Sequence, residues 1–322
     1  MPSFRHLIDI LIALVLLVSQ TAACGDDLPQ ILNRGVLRHM GIVYGNFVTG
    51  AGDGLDVDIV KLFAASLGVQ YEFVETNFDE AFGDLIGQTV TLSNGQVVFG
   101  KPTPVRGDLL ASGLTVLPWR QEIVAFSETI FPTGIWVIAR ADSSLQPVEP
   151  TGDVQVDIEK VRGLLNNRTV LGQAGSCLDP KLYDLEQTGA QIELFDSHRN
   201  LNEMVPAILK GEAELTLADA PDALIALDKW PGQIKVIGPL TPPQEMGAAF
   251  AKESPQLRET FNQFLGKIKE NGIYLQLINK YYPSVKFFYK DYFADINVTD
   301  KAKQAGLTTI GQDPSPPSST VK

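Results

Sequence analysis

Arg120 and the residues just before it have the types and spacing that suit the binding of an anion. Residues 109–127 read LLASGLTVLPWRQEIVAFS, an apolar strand-like start that runs into Gly113 and Thr115 before Pro118 opens a predicted helix. Proline fits a first helical turn, where its missing N–H is not needed. Gly113 lets the backbone come close to a bound molecule, and Thr115 offers a hydroxyl. The planar guanidinium of Arg120 presents paired donors that match a carboxylate. Alone, the same residues also fit a turn followed by a solvated helix with a surface arginine.

Other chemistries have little raw material. The chain has 2 cysteines and 3 histidines, so no disulfide framework, Cys-x-x-Cys site or histidine-based triad is expected. His39 and His198 lie far apart, and neither a metal site nor a cofactor is expected. The glycines of residues 50–54 lack the G-x-G-x-x-G spacing of a nucleotide loop and read as a flexible connection. The balance of 26 basic against 38 acidic residues gives a net charge of −12, which argues against nucleic acid and anionic membrane surfaces as partners.

The N-terminus points to export. Arg5 and His6 precede an unbroken apolar run at 10–18, and Thr21-Ala22-Ala23 supplies small residues before Cys24. Residues 1–23 therefore read as a secretory signal peptide, too short for a span of about 20 residues. The small residues ahead of Cys24 also resemble a bacterial lipobox, which would make Cys24 a lipidated N-terminus; ordinary cleavage after Ala23 is the alternative. No later stretch is long and apolar enough to cross a bilayer, so membrane contact is expected only through that anchor.

Beyond the signal, strand-like and helix-like runs alternate. Strands are predicted at 35–42, 69–75, 106–113, 133–139, 169–173, 191–195, 214–217 and 247–252. Helices are predicted at 28–34, 56–68, 78–86, 179–187, 201–210, 221–229, 254–271 and 273–281. Repeated units of this kind imply an α/β fold with largely parallel sheets. On the helix at 254–271, Leu257, Phe261, Phe264, Leu265 and Ile268 fall at helical spacing. Residues 83–105 read as a hairpin turning at Ser93-Asn94-Gly95. Residues 143–161 read as a polar insertion, and 297–322 as a disordered tail.

Gly113, Thr115, Arg120 and Phe126-Ser127 resemble, position for position, a segment of the family 3 extracellular solute-binding proteins, the amino-acid receptors of bacterial ABC importers. Glu270-Asn271-Gly272-Ile273-Tyr274 and Gly54-Leu55-Asp56-Val57-Asp58 are similar to further family segments, with Asp56 expected to cap its helix. The resemblance spans about residues 35–284. It implies the type II periplasmic-binding-protein fold: two α/β lobes joined by two crossover strands, with the ligand in the cleft between them. Lobe 1 would take residues 28–139 and 241–290, and lobe 2 residues 140–240.

The same resemblance implies the rest of the site. Asp219 ends a strand before Ala220-Pro221 and would accept the ligand's α-ammonium group, although an Asp there can also cap the next helix. Gly175-Ser176-Cys177 would open a helix whose amides meet the ligand carboxylate, with Cys177 in place of a second hydroxyl. Tyr44 and Phe78 would sandwich the aliphatic part. Receptors for basic side chains often carry an Asp where this chain has Gly41 and Ile42, so Lys and Arg are disfavoured as ligands. The implied function is capture of an amino acid or similar carboxylate by a non-enzyme in the periplasm or on its membrane, with an ABC permease as partner. The alternatives are a cyclohexadienyl-dehydratase-like enzyme, with Glu128 as the nearest candidate acid, and a ligand-sensing module. Relatives fused to kinases or peptidoglycan-cleaving domains are longer than this chain is expected to be.

Overall fold

The computed structural model describes residues 26–93, 95–196, 199–294 and 296. The expected signal peptide, Cys24 and the expected tail at 297–322 lie outside the described residues. After the helix Leu28–Arg34, β1 (Val36–Gly41) pairs in parallel with β2 (Gln70–Glu75), and the helix Leu55–Leu67 connects them. A hairpin of β3 (Gln88–Ser93) and β4 (Gln96–Pro102) follows, then β5 (Leu109–Leu110) and β6 (Ala125–Phe126). The chain leaves through β7 (Phe131–Thr133) and builds a second sheet from β8 (Ile135–Arg140), β9 (Thr169–Gly172), β10 (Gln191–Leu194), β11 (Leu215–Asp219) and β12 (Ile234–Pro239). It returns through β13 (Gln244–Met246), antiparallel to β7, and ends the first sheet with β14 (Ala249–Phe250).

The strand orders are β2-β1-β5-β14-β6 and β10-β9-β11-β8-β12, with β7 and β13 forming a separate two-stranded crossing. This is the two-lobed α/β arrangement with two crossover strands. Pairing is parallel in the β2-β1-β5 and β10-β9-β11 stretches and antiparallel at β14 and β8. The strand ends of both sheets therefore open toward the crossing, where α/β sheets place their ligands. Helix Pro255–Glu270 buries Leu257, Phe261, Phe264, Leu265 and Ile268, the stripe its spacing predicts. Each such side chain contributes about 1.5–3 kcal/mol by leaving water.

Several expected elements differ. The helix predicted at 179–187 is two 3-10 turns, Pro180–Tyr183 and Leu185–Thr188, because Asp184 between them is left-handed at φ 50°. Of the strand predicted at 106–113, only Leu109–Leu110 joins the sheet, since Asp108 turns inward to bind arginines. The polar stretch at 143–161 runs into a helix, Val154–Gly163, capped by Asp153. The hairpin is as expected: Ser93 pairs with Gln96, which leaves a two-residue turn with Gly95 at φ 77°; Asn94 lies outside the described residues.

Asp108 fixes the start of β5 and hence the segment that carries Arg120. Its buried carboxylate accepts from Arg34 Nη2 at 2.6 Å, the Arg38 amide at 2.7 Å and Arg38 Nη2 at 2.7 Å. Asp108→Ala removes these bonds and a fourth, from Arg38 Nε at 3.2 Å, and should cost roughly 2–4 kcal/mol in urea unfolding. Asp142→Ala, which breaks the exposed pair with Arg140, should cost under about 1 kcal/mol.

Candidate ligand-binding site

Arg120 is fully buried, which the reading of a surface arginine does not allow. It sits in the helix Pro118–Ile123, where Pro118 starts the first turn and Arg120 faces inward. Nη1 donates to the Thr115 carbonyl at 2.9 Å, while Nε and Nη2 are buried without any partner. The guanidinium carbon lies 5.7 Å from the Phe82 ring centre and 5.2 Å from that of Trp119. Burial pushes its pKa down, and the nearby Cys177, Tyr183 and Asp219 oppose that. The Thr115 hydroxyl is also buried without an oxygen or nitrogen partner, facing the Cys177 sulfur. Trp119 Nε1 and Gln173 Oε1 are likewise unpaired.

Gly113 holds this loop in place. Its φ is 64°, and a Cβ there would lie 2.4 Å from the Phe47 ring. Its amide donates to Asp56 Oδ2 at 2.6 Å. The close approach that glycine permits is thus to Phe47, and its N–H is already used. Asp56 does not cap its helix as expected; Gly54 holds the cap position, and Asp56 sits in the first turn where it can reach across to Gly113. Burial raises the Asp56 pKa to about 7, with the Gly113 bond opposing.

On the facing lobe, Asp219 is fully buried at the end of β11. It occupies the cap position of the helix Ala220–Lys229 but makes no side-chain cap bond. Instead Oδ1 accepts from Thr133 Oγ1 at 3.0 Å, and Oδ2 accepts from the Tyr44 hydroxyl at 2.6 Å and the Cys177 thiol at 3.2 Å. Burial pushes Asp219 upward, against those three donors and Arg120. Burial and Asp219 push the Cys177 thiol up as well, so it stays a neutral donor. Asp222, one turn on, is raised to about 8 by burial and by Asp219; its Oδ2 has no partner. Tyr44–Asp219 and Gly45 N–Asn202 Oδ1 at 2.8 Å bond the lobes directly, so the cleft is closed.

Of the predicted residues, Tyr44, Thr115, Arg120, Cys177 and Asp219 come together, while Gly113, Phe78 and Ser176 make their contacts elsewhere. Tyr44 spends its hydroxyl on Asp219 and stacks on Phe47 at 6.4 Å. Phe78 is half-buried where the lobes meet, in a crevice it shares with Gln173. Ser176 does not open a helix: it lies in a turn, its hydroxyl donating to the Gln173 carbonyl at 2.8 Å and accepting from the Leu178 amide at 3.0 Å. Helical geometry starts only at Pro180, so no helix end faces an anion there. Glu128 is exposed, its amide bonded to Asn262 on the outer helix, and it is no acid for this cleft. Thr133, Gln173, Trp119 and Asp222 were not foreseen. Only Asp222, three residues from Asp219 on a helix, carried a spacing that could have marked it.

Two expectations follow. Gly113→Ala forces both a left-handed alanine and a clash with Phe47, and should cost roughly 2–4 kcal/mol in denaturant unfolding. The second concerns pH. Asp56 and Asp222 have folded pKa values raised to about 7 and about 8 from 3.8, so their contribution is full below about pH 4 and is lost as pH rises through those values. His39, buried and lowered from 6.5 to about 4, works in the opposite sense up to pH 6.5. Two carboxyls outweigh one imidazole, so stability should fall from about pH 4 to about 8, most steeply once the histidine's opposing gain ends at pH 6.5. Asp222→Asn should flatten that fall, as read from melting temperature against pH.

A family model for bacterial extracellular solute-binding proteins, family 3, matches residues 103–284. Membrane-bound lytic murein transglycosylase F of Desulfosudis oleivorans is 27% identical over 238 residues, 73% of this chain and 45% of that protein. The chain thus spans less than half the length of that relative. Amino-acid-binding protein AabA of Dichelobacter nodosus is 23% identical over 265 residues, 81% of this chain and 90% of that protein. Among solved structures, a mutant of ArgBP from T. maritima has the same fold, with a TM-score of 0.62 and 24% identity over 80% of this chain and 99% of that one. Among the described residues no helix is long and apolar enough to cross a membrane, and no group of three or more His, Cys, Asp or Glu could hold a metal. The chain belongs to the bacterial extracellular solute-binding proteins of family 3.

Proposed function

We propose that the protein captures a small carboxylate, foremost an α-amino acid, in the cleft between its lobes and hands it to an ABC permease without chemical change. The observation that carries this reading is the buried Arg120 guanidinium with two unpaired nitrogens. An uncompensated buried charge costs several kcal/mol, and a ligand carboxylate supplies both the countercharge and the acceptors. Asp219 would take the α-ammonium. An ionised carboxylate has about four acceptor sites, and three donors already reach Asp219. Because β8 (Ile135–Arg140) lies in the second sheet, the boundary expected at 139 moves back: lobe 1 would take residues 28–134 and 241–290 and lobe 2 residues 135–240, with Gly113, Thr115, Tyr44, Phe78, Ser176 and Cys177 framing the cleft. The protein acts outside the cytoplasm after export, tethered through an acylated Cys24.

Closure would couple binding to recognition by the permease. Contacts from both lobes are complete only in the closed form, so ligand shifts the population toward it. The short strands β7 and β13 are the hinge.

The test pairs binding with stability. Calorimetry and thermal shift with the twenty L-amino acids and small dicarboxylates should identify a ligand that raises the melting temperature. Arg120→Met should weaken that ligand by roughly 2–5 kcal/mol, yet leave the unliganded fold as stable or more so, because it removes an unpaired buried charge. A purely structural arginine would give the reverse: a destabilised fold with normal binding. Asp219→Asn should reduce the preference for the amino acid over its 2-hydroxy analogue. An unaltered selectivity would remove Asp219 from the ammonium role.

A further inference from the structure

The β3–β4 hairpin is not used by the function above. Its pairing sets Val90 opposite Phe99 and Leu92 opposite Val97. Directly opposed residues share a face of an antiparallel ladder, so four apolar side chains stand on one side. Val90 and Val97 pack on the cluster that contains Phe82. Leu92 and Phe99 remain 39% and 47% exposed. Where this face meets the helix Pro118–Ile123 and the 174–182 segment of the other sheet's lobe, the lobes flank an open cavity of about 750 Å³. That is within the range of sites that bury whole small molecules.

The walls of the cavity are apolar: Phe78, Phe82, Val90, Leu92, Trp119 and Leu182. Phe82 and Trp119 are also the rings on which the Arg120 guanidinium lies, so the cavity and the unpaired charge share a wall. Its polar lining is already engaged or peripheral. The Asp179 carboxylate accepts from the Gly175 and Lys181 amides at 3.1 and 3.0 Å, and Asp79 and Lys181 are exposed at the rim.

We propose that the hairpin is a specificity element, and that the ligand carries an aromatic or long aliphatic group beside the carboxylate that Arg120 receives. This rests on the reading of Arg120 as a carboxylate receptor. The carboxylate would bond Nε and Nη2 while the apolar group fills the cavity against Leu92, Phe78 and Trp119. Unpaired Trp119 Nε1 leaves room for one acceptor on that group.

The experiment is calorimetric titration of the full chain with L-tryptophan, L-phenylalanine, 3-phenylpropionate, L-alanine and L-lysine. It is repeated on Leu92→Glu, Leu92→Ala and Arg120→Met, with folding checked by melting temperature. At least one aromatic carboxylate should bind tenfold or more tighter than L-alanine, since burying an apolar group is worth about 1.5–3 kcal/mol and each 1.4 kcal/mol is tenfold. Leu92→Glu should lose that advantage and leave L-alanine within about twofold, with Leu92→Ala intermediate. Equal binding of L-alanine and the aromatics, tighter binding of L-lysine, or equal losses for all probes in Leu92→Glu would overturn the inference while leaving the carboxylate site intact. Wild-type affinities in Arg120→Met would instead overturn the carboxylate reading, and with it this inference. Binding by none of the probes would reject the ligand class altogether.

Discussion

A guanidinium that has left water must be met by an acceptor, and the architecture around Arg120 is organised by that demand. The available compensations are small. Stacking on Phe82 and Trp119 contributes on the order of 0.5–2 kcal/mol, and the single bond from the charged guanidinium to the Thr115 carbonyl about 1.5–3 kcal/mol. Desolvation of the charge costs several. The carboxylate whose field reaches Arg120 is Asp219, yet Asp219 is bonded to Tyr44, Thr133 and Cys177 instead. Two charges therefore sit near one another without touching. A ligand that bonds both lowers the energy of each without first breaking an ion pair.

The same demand explains the rigid supports behind the arginine. Asp108, clamped by Arg34 and Arg38, fixes the start of β5. Asp56 then holds the Gly113 amide, Phe47 fills the space a side chain would need, and Pro118 starts the helix that turns Arg120 inward. These polar bonds and steric fits hold the backbone from which Arg120 points inward. Closure is weaker by comparison. The lobes are bonded directly by Tyr44–Asp219 and Gly45–Asn202; the neutral bond nets about 0.5–1.5 kcal/mol and the one to the carboxylate about 1.5–3 kcal/mol. A ligand with contacts to both lobes can outweigh such differences between open and closed states.

The sequence carried what periodicity and short-range chemistry can encode. The stripe from Leu257 to Ile268 and the turn between Ser93 and Gln96 are local patterns, and they formed as read. The resemblance carried the lobes and crossovers, which no local pattern states. What failed was set by tertiary contact. Asp56 looked like a helix cap because the partner it uses, Gly113, is far along the chain. The turns after Cys177 looked helical because Asp184 can adopt a left-handed backbone that interrupts the run. β12 was not foreseen: its ladder to β8 is interrupted at Val236 and Gly238, where the register shifts. Glu128 was plausible from its distance along the sequence alone, but β6 and the outer helix carry it away from the cleft.

The unpaired buried atoms near the two charges differ in kind. In the Arg120 lobe they include Nε and Nη2 of Arg120, Nε1 of Trp119 and Oγ1 of Thr115, but also the carboxyl oxygen Oδ1 of Asp56 and Nε of Arg258. In the other lobe they are Oε1 of Gln173 and Oδ2 of Asp222, and Asp222, raised to about 8, keeps its proton at neutral pH. Buried unpaired groups are rare because each costs about 1–3 kcal/mol, and the two unpaired nitrogens of a charged guanidinium are the most costly of these. On the proposed reading, an occupant with a carboxylate toward Arg120 and an ammonium toward Asp219 would satisfy both charges, as a zwitterion does and a simple dicarboxylate does not. The cleft is thus polarised before any ligand arrives. An occupant in the reverse orientation would set its ammonium against Arg120 and its carboxylate against Asp219, so on that reading orientation and affinity would come from the same two charges.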